Sequence, residues 1–189
     1  MPEPSASQPA VFLDRDGTVT DEVGYLNHLS RFRMFGFAAK AIQRLNEASL
    51  PVIVVTNQSG VARGLFPASL VDDVHREMTR QLAAAGVHVD GIYACLHGPQ
   101  DGCACRKPKT GLLEQAAREH NLDLKHSFVV GDRYADVEMA HRAGSRGILV
   151  ATGYGRGELE WHGPSWPGQP DYLADDLSGA VDWILKELR

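Results

Sequence analysis

"AVFLDRDGT", residues Ala10 to Thr18, joins an apolar, β-forming run to two carboxylates, Asp14 and Asp16, and a turn glycine, Gly17. A strand that gives way to acids at its carboxyl end is the pattern of an α/β sheet, whose ligands bind beyond the strand ends. The chain around it repeats that pattern. "PVIVVT" (51–56), "GIYAC" (91–95), "SFVVGD" (127–132) and "RGILV" (146–150) read as further strands. Between them lie amphipathic stretches: 37–48 with Ala38, Ala41, Ile42 and Leu45 at helical spacing, 70–85, 111–120 with Thr110 as its N-cap, and 135–143. A Gly-, Pro- and Trp-rich stretch over 153–170 reads as irregular, and the chain closes with a short "DYLADD" and the helix "LSGAVDWILKEL". The alternation predicts a doubly wound, three-layer parallel sheet of class α/β.

With 189 residues, 43% of them hydrophobic and 23% charged, the chain has the composition of one globular domain over 1–189, with residues 1–9 as a disordered Pro-rich leader. It shows neither the basic start and apolar core of a signal peptide nor an apolar run of membrane-spanning length, so a cytoplasmic protein is expected. A formal charge of −5 argues against nucleic acid or a membrane surface as partner. A small molecule is the expected partner and a monomer the expected state.

Asp and Gly are favoured turn residues, so "DRDG" alone reads equally well as a simple strand-to-loop turn. The other strand ends decide between the readings. "TNQSG" follows the second strand and "GDRYAD" the fourth, adding Asp132 and Asp136 to Asp14 and Asp16. Carboxylates gathered in this way repel one another unless protonated or bound to a hard cation, and Mg2+ suits a few carboxylate oxygens, waters and a substrate phosphate. Thr56 and Asn57 offer donors and Arg106 and Lys107 offer positive charge, which is what a phosphoryl group needs. One aspartate can attack phosphorus while a second carboxyl protonates the leaving oxygen and then activates water. Asp14 and Asp16 suit those roles.

"FLDRDGT", "VVTNQSG", "CRKPK" and "VVGDRYAD" together resemble the four ordered motifs of the haloacid dehalogenase (HAD) superfamily and span nearly the whole chain. The resemblance implies Asp14 as nucleophile, Asp16 as general acid/base, and Thr56 and Lys107 as phosphoryl stabilisers. It further implies Mg2+ held by Asp14, the Asp16 carbonyl and Asp132, with Asp136 behind them, and a HAD-like Rossmannoid sheet of order 3-2-1-4-5 with a minimal cap.

All three cysteines fall in "CLHGPQDGCACRKPK". Cys95, His97, Cys103 and Cys105 supply three thiolates and an imidazole, a full tetrahedral set for structural Zn2+, so 95–109 reads as a zinc loop. A filled site of this kind leaves no position for water. The loop is therefore scaffolding that fixes Arg106 and Lys107. In a minimally capped HAD protein it resembles the loop of the heptose-bisphosphate phosphatases and that of the histidinol-phosphate phosphatases. "TNQSGVARGLF" and "DEVGYLN" resemble the former, implying a sugar bisphosphate touched by Glu22, Gly24, Tyr25, Asn57, Gln58, Ser59, Arg63, Arg106 and Arg133. A histidinol-phosphate phosphatase and a zinc-stapled binding module without turnover are the alternatives, separable by substrate competition and by any phosphate release at all. His28, His75, His88, His120, His126, His141 and His162 occur singly and read as solvated or capping residues.

Overall fold

The computed structural model describes residues 7–189. Six strands, β1 (Val11–Leu13), β2 (Val52–Asn57), β3 (Gly91–Cys95), β4 (Phe128–Gly131), β5 (Arg146–Val150) and β6 (Tyr172–Ala174), form one sheet of order β3-β2-β1-β4-β5-β6. Every pairing is parallel. The expected order is therefore present and extended by one edge strand, β6, from "DYLADD". A strand of three residues with Leu173 47% exposed carries too little pattern to be seen in the sequence.

Alternate residues of the strands serve two apolar layers, as the period of a strand demands. Val11, Leu13, Val52, Val54, Val130 and Ile148 face one side, where they meet α1 (Ala38–Glu47), α2 (Ala68–Ala84) and α6 (Leu177–Glu187). Phe12, Ile53, Val55 and Val129 face the other, against α3 (Gly111–His120) and α4 (Tyr134–Ala143). The helices present matching stripes: Ala38, Ala41, Ile42 and Leu45 on α1, and Leu177, Ala180, Val181 and Ile184 on α6. Because β1, β2 and β4 are buried on both faces they read as nearly continuous apolar runs.

Three expectations change. Thr110 does not cap α3: its backbone is helical and its hydroxyl donates to Glu114 Oε1 at 2.6 Å. Asp176 does cap α6, accepting from Gly179 N. The stretch over 153–170 contains a helix, α5 (Gly155–His162), held by tertiary bonds that its own composition does not announce. Of the leader expected over 1–9, residues 1–6 lie outside the described residues. Gln8 already bridges Leu122 and exchanges backbone bonds with Asn121 and Asp123. Among the described residues no helix is long and apolar enough to cross a membrane.

Candidate active site

The strand order reverses between β1 and β4, so the crevice beyond their carboxyl ends is where a ligand is expected. Leu13 pairs with Val130 and the Asp14 N–H donates to Val130 O at 2.8 Å, which sets Asp14 beside the loop that carries Asp132. One carboxylate oxygen each from Asp14, Asp132 and Asp136 lies within 4.8 Å of the others. Lys107 Nζ stands among them, 2.8 Å from Asp14 Oδ1 and 2.6 Å from Asp136 Oδ1.

Burial, then the charge of Asp14, pushes the Asp132 carboxyl up to about 9, and burial raises Asp14 to about 7 against the pull of Lys107. Burial alone would lower the Lys107 ammonium, but Asp136 and Asp14 outweigh it and raise its pKa. One lysine does not offset three crowded carboxylates, Asp132 having no partner cation among the ion pairs of the described residues, and that remaining deficit is where a divalent cation fits. The all-oxygen donor set selects a hard one.

Asp132 is gripped tightly. A Cβ on Gly17 or on Gly153 would fall 2.1 Å from Asp132 Oδ2, and both glycines have positive φ, +81° and +56°. Only glycine meets both demands. Tyr154 N donates to the same oxygen at 2.8 Å, and Thr152 Oγ1 donates to Gly17 O at 2.6 Å. The loop after β5 is thereby tied to the turn after β1.

Around these acids is a cavity of about 450 Å³. Asp14, Asp16, Thr56, Lys107, Glu22, Gly24, Tyr25, Asn57, Gln58, Ser59, Arg63, Arg106, Arg133, Asp132 and Asp136, all picked out in the sequence, line it together. Tyr154 and Glu158 also line it and were missed. The carboxyl groups of Asp14, Asp16, Glu22, Asp132, Asp136 and Glu158 face the cations Arg63, Arg106, Lys107 and Arg133; with every carboxyl ionised the excess is two negative charges, which one divalent cation would cancel.

Several of these side chains already have partners. Asn57 Oδ1 accepts from Lys107 N at 3.2 Å, so it steadies the loop that carries the lysine. Gln58 Nε2 donates to Asp16 Oδ2 at 2.8 Å and to Thr56 Oγ1 at 2.9 Å. Arg133 lies over the Tyr154 ring, 3.6 Å from its centroid, and pairs with Glu158 Oε1 at 3.4 Å. Arg63 sits above Tyr25 at 5.9 Å. The signal for Tyr154 and Glu158 was their place just beyond a strand end, in "GYGRGELE".

The cysteine loop also closes on itself. Cys95 Sγ is 3.1 Å from Cys105 Sγ and 3.7 Å from Cys103 Sγ, while His97 Nδ1 is 3.7 Å from Cys95 Sγ and 3.2 Å from Cys105 Sγ. A tetrahedron with bonds of ~2.3 Å has sulfur edges of ~3.8 Å; the 3.7 Å spacings match that edge, the 3.1 Å and 3.2 Å ones are shorter, and none approaches the ~2.05 Å of a disulfide, so the four groups form a candidate site for one metal ion. Arg106 Nη1 donates to His97 O at 3.3 Å, which joins this cluster to the cavity wall.

An aspartate-tipped Rossmannoid sheet with a lysine bonded to the aspartate that follows β1 defines a HAD-type hydrolase, and residues 104–180 match the family model described as HAD-hydrolase-like. The D-glycero-D-manno-heptose-1,7-bisphosphate 7-phosphatase of Thermosynechococcus vestitus is 42% identical over 96% of this chain and 97% of its own. The crystal structure of the D,D-heptose 1,7-bisphosphate phosphatase of Bordetella bronchiseptica, complexed with magnesium and phosphate, superposes with a TM-score of 0.87 at 37% identity, covering 95% of this chain and 99% of that one. The enzyme of that name from Escherichia coli K12 is 34% identical over 96% of this chain and 91% of its own. The chain belongs to the D-glycero-D-manno-heptose-1,7-bisphosphate 7-phosphatase family of HAD phosphatases.

Proposed function

We propose that the protein removes the 7-phosphate of D-glycero-D-manno-heptose 1,7-bisphosphate in heptose biosynthesis, as a Mg2+-dependent phosphomonoesterase of the cytoplasm. The observation that carries this reading is the buried Asp14 carboxylate, bonded to Lys107 Nζ at 2.8 Å, on the floor of a cavity walled by three arginines. In the first step an Asp14 oxygen attacks phosphorus and the bond from phosphorus to the C7 oxygen breaks. Asp16 gives that oxygen its proton, and Lys107 and the Thr56 hydroxyl hold the phosphoryl oxygens. In the second step Asp16 takes a proton from water, which attacks the aspartyl phosphate and returns Asp14 and inorganic phosphate. Asp14, the Asp16 backbone carbonyl and Asp132 would hold Mg2+, which would supply charge neutralisation at the phosphoryl oxygens. Arg63, Arg106 and Arg133 receive the distal phosphate, and Glu22, Gly24 and Tyr25, in a loop that serves as a minimal cap, border the sugar.

The test is kcat/KM for both anomers of the heptose bisphosphate beside histidinol phosphate. Arg63→Ala is expected to raise KM for the bisphosphate roughly 10- to 100-fold, the loss of a charged hydrogen bond, while leaving histidinol phosphate turnover unaffected. Equal or better turnover of histidinol phosphate by the wild type would overturn the substrate reading.

The cysteine cluster is read as a structural Zn2+ site. Removing its metal with a thiolate-competing chelator is expected to lower kcat/KM roughly tenfold or more by loosening the segment that carries Arg106 and Lys107. Hydrogen exchange should rise over residues 95–109 while the sheet keeps its protection. Cooperative unfolding of the whole chain would contradict a local role.

A further inference from the structure

Arg15, the residue between the two aspartates, is 1% exposed and heads the largest fully buried side chains. An arginine is rarely placed so deeply unless its donors are met. Here they are met in an ordered way. Nε donates to Asp16 Oδ1 at 3.1 Å and Nη2 to Asp16 Oδ2 at 2.7 Å, the parallel fork by which a guanidinium fixes the plane of a carboxylate. Its other arm, Nη1, lies 3.2 Å from His75 Nε2 on α2. Burial, then the Arg15 charge, lowers the His75 imidazole to about 4, so near neutral pH it is uncharged and Nε2 is free to accept. His75, read from the sequence as a solvated or capping residue, thus reaches the site through Arg15. Neither Arg15 nor His75 lines the cavity, so neither is placed to touch substrate.

We propose that Arg15, backed by His75, is the positioning residue that orients Asp16 for proton transfer to the leaving oxygen, an inference that rests on the general acid/base reading of Asp16. A carboxylate on a turn can rotate, and a proton donor works only when its oxygen lies within hydrogen-bond reach of the leaving group. Four side-chain donors reach Asp16: two from Arg15, Gln58 Nε2 at 2.8 Å and, at the longest distance, the Thr20 hydroxyl. The guanidinium in turn needs a support that does not compete for its charge. A neutral imidazole meets that need, whereas a second carboxylate on α2 would draw the fork away from Asp16. The arrangement also accounts for the residue type between the aspartates. Lysine offers no planar fork, and an apolar residue would leave the Asp16 carboxylate with Gln58 and the more distant Thr20 hydroxyl, 3.4 Å away, as its remaining side-chain donors.

The experiment exploits the leaving group. The 7-phosphate of the heptose bisphosphate leaves an alkoxide that must be protonated, whereas p-nitrophenyl phosphate leaves a phenolate that departs unaided. Values of kcat/KM report the steps up to that departure. Wild type, Asp16→Asn, Arg15→Met, His75→Phe and His75→Gln are compared on both substrates. Arg15→Met is expected to lose about 10²-fold in kcat/KM on the heptose bisphosphate and no more than about threefold on p-nitrophenyl phosphate, with the loss in kcat and KM little changed. His75→Phe follows the same pattern at roughly tenfold, and His75→Gln, which keeps an acceptor, returns to within about threefold of wild type. The His75 pair carries the comparison by itself if the buried Arg15→Met chain does not fold. Equal losses on both substrates in Arg15→Met or His75→Phe, or no loss in either, would overturn the proposal. If Asp16→Asn itself falls equally on both, the acid role of Asp16 fails first. Selective loss in Asp16→Asn without selective loss in the Arg15 and His75 variants rejects the positioning role alone.

Discussion

Asp14→Asn is expected to keep the fold and to lose at least about 10⁴-fold in kcat on every phosphoester, because the proposed mechanism passes the phosphoryl group through the Asp14 carboxylate. The same variant reports on the metal-free site. Burial raises Asp14 from 3.8 to about 7 in the folded chain, so its contribution to stability is full below about pH 4 and is lost as the pH rises through about 7. Asparagine escapes that loss. Without Mg2+ at pH 8 the variant is expected to melt above the wild type, and the gap should close as the pH is lowered toward 4. Adding Mg2+ should raise the melting temperature of the wild type more than that of the variant, since ligation to the folded state is selective. Phosphate release by Asp14→Asn would place the nucleophile elsewhere. A gap unchanged with pH would mean that Asp14 is not the group whose ionisation destabilises the metal-free site.

Lys107→Met is the second large effect, and it strikes catalysis and folding together. The Lys107 side chain is 3% exposed, and its ammonium is bonded to Asp14 and Asp136, whose side chains are 12% and 2% exposed. Removing it leaves Asp14 and Asp136 without their shared counter-charge, a loss of about 3–5 kcal/mol when one partner of a buried pair is deleted. Removing a donor from the phosphoryl oxygens lowers kcat by about 10²–10³-fold. The two losses separate experimentally. Mg2+ should recover more stability in urea melts for the variant than for the wild type, because it returns positive charge to the acids. It should not recover the rate. Full activity in Lys107→Met would remove the lysine from the chemistry, and a melting curve equal to wild type without Mg2+ would mean that the acids are protonated irrespective of Lys107.

The three strands that end in acids or amides were legible because burial on both faces leaves them apolar until the sheet stops, so the switch to "DRDG", "NQSG" and "DRYAD" marks the crevice directly. The cysteine set was legible because thiolates and an imidazole crowded into one loop have few other uses. What the sequence hid depends on contacts between distant segments. Helix α5 stands over the site because Tyr154 N meets Asp132 and Glu158 Oε2 accepts Tyr134 N at 2.7 Å, bonds that no local periodicity encodes. His75 read as a solvated or capping residue that occurs singly. Its meaning comes from a guanidinium sixty positions away in the chain. Asn57 and Gln58 were read as groups facing substrate, and both turn out to steady other site residues as well.

The strand that leads into Asp14 is made well before its second neighbour. β1 pairs with β2 on one side, but its other neighbour, β4, begins only at Phe128. A ribosome must therefore translate well over half the chain while β1 remains an open edge. Throughout that interval Asp14 lacks Asp132, and until residue 107 is made it lacks Lys107 as well. Long-range parallel pairing of this kind is slow and leaves edges exposed. The charge that ends β1 also serves the unfinished chain, since an aspartate at the tip of a bare apolar strand discourages it from pairing with a neighbouring polypeptide before its own partner has been synthesised.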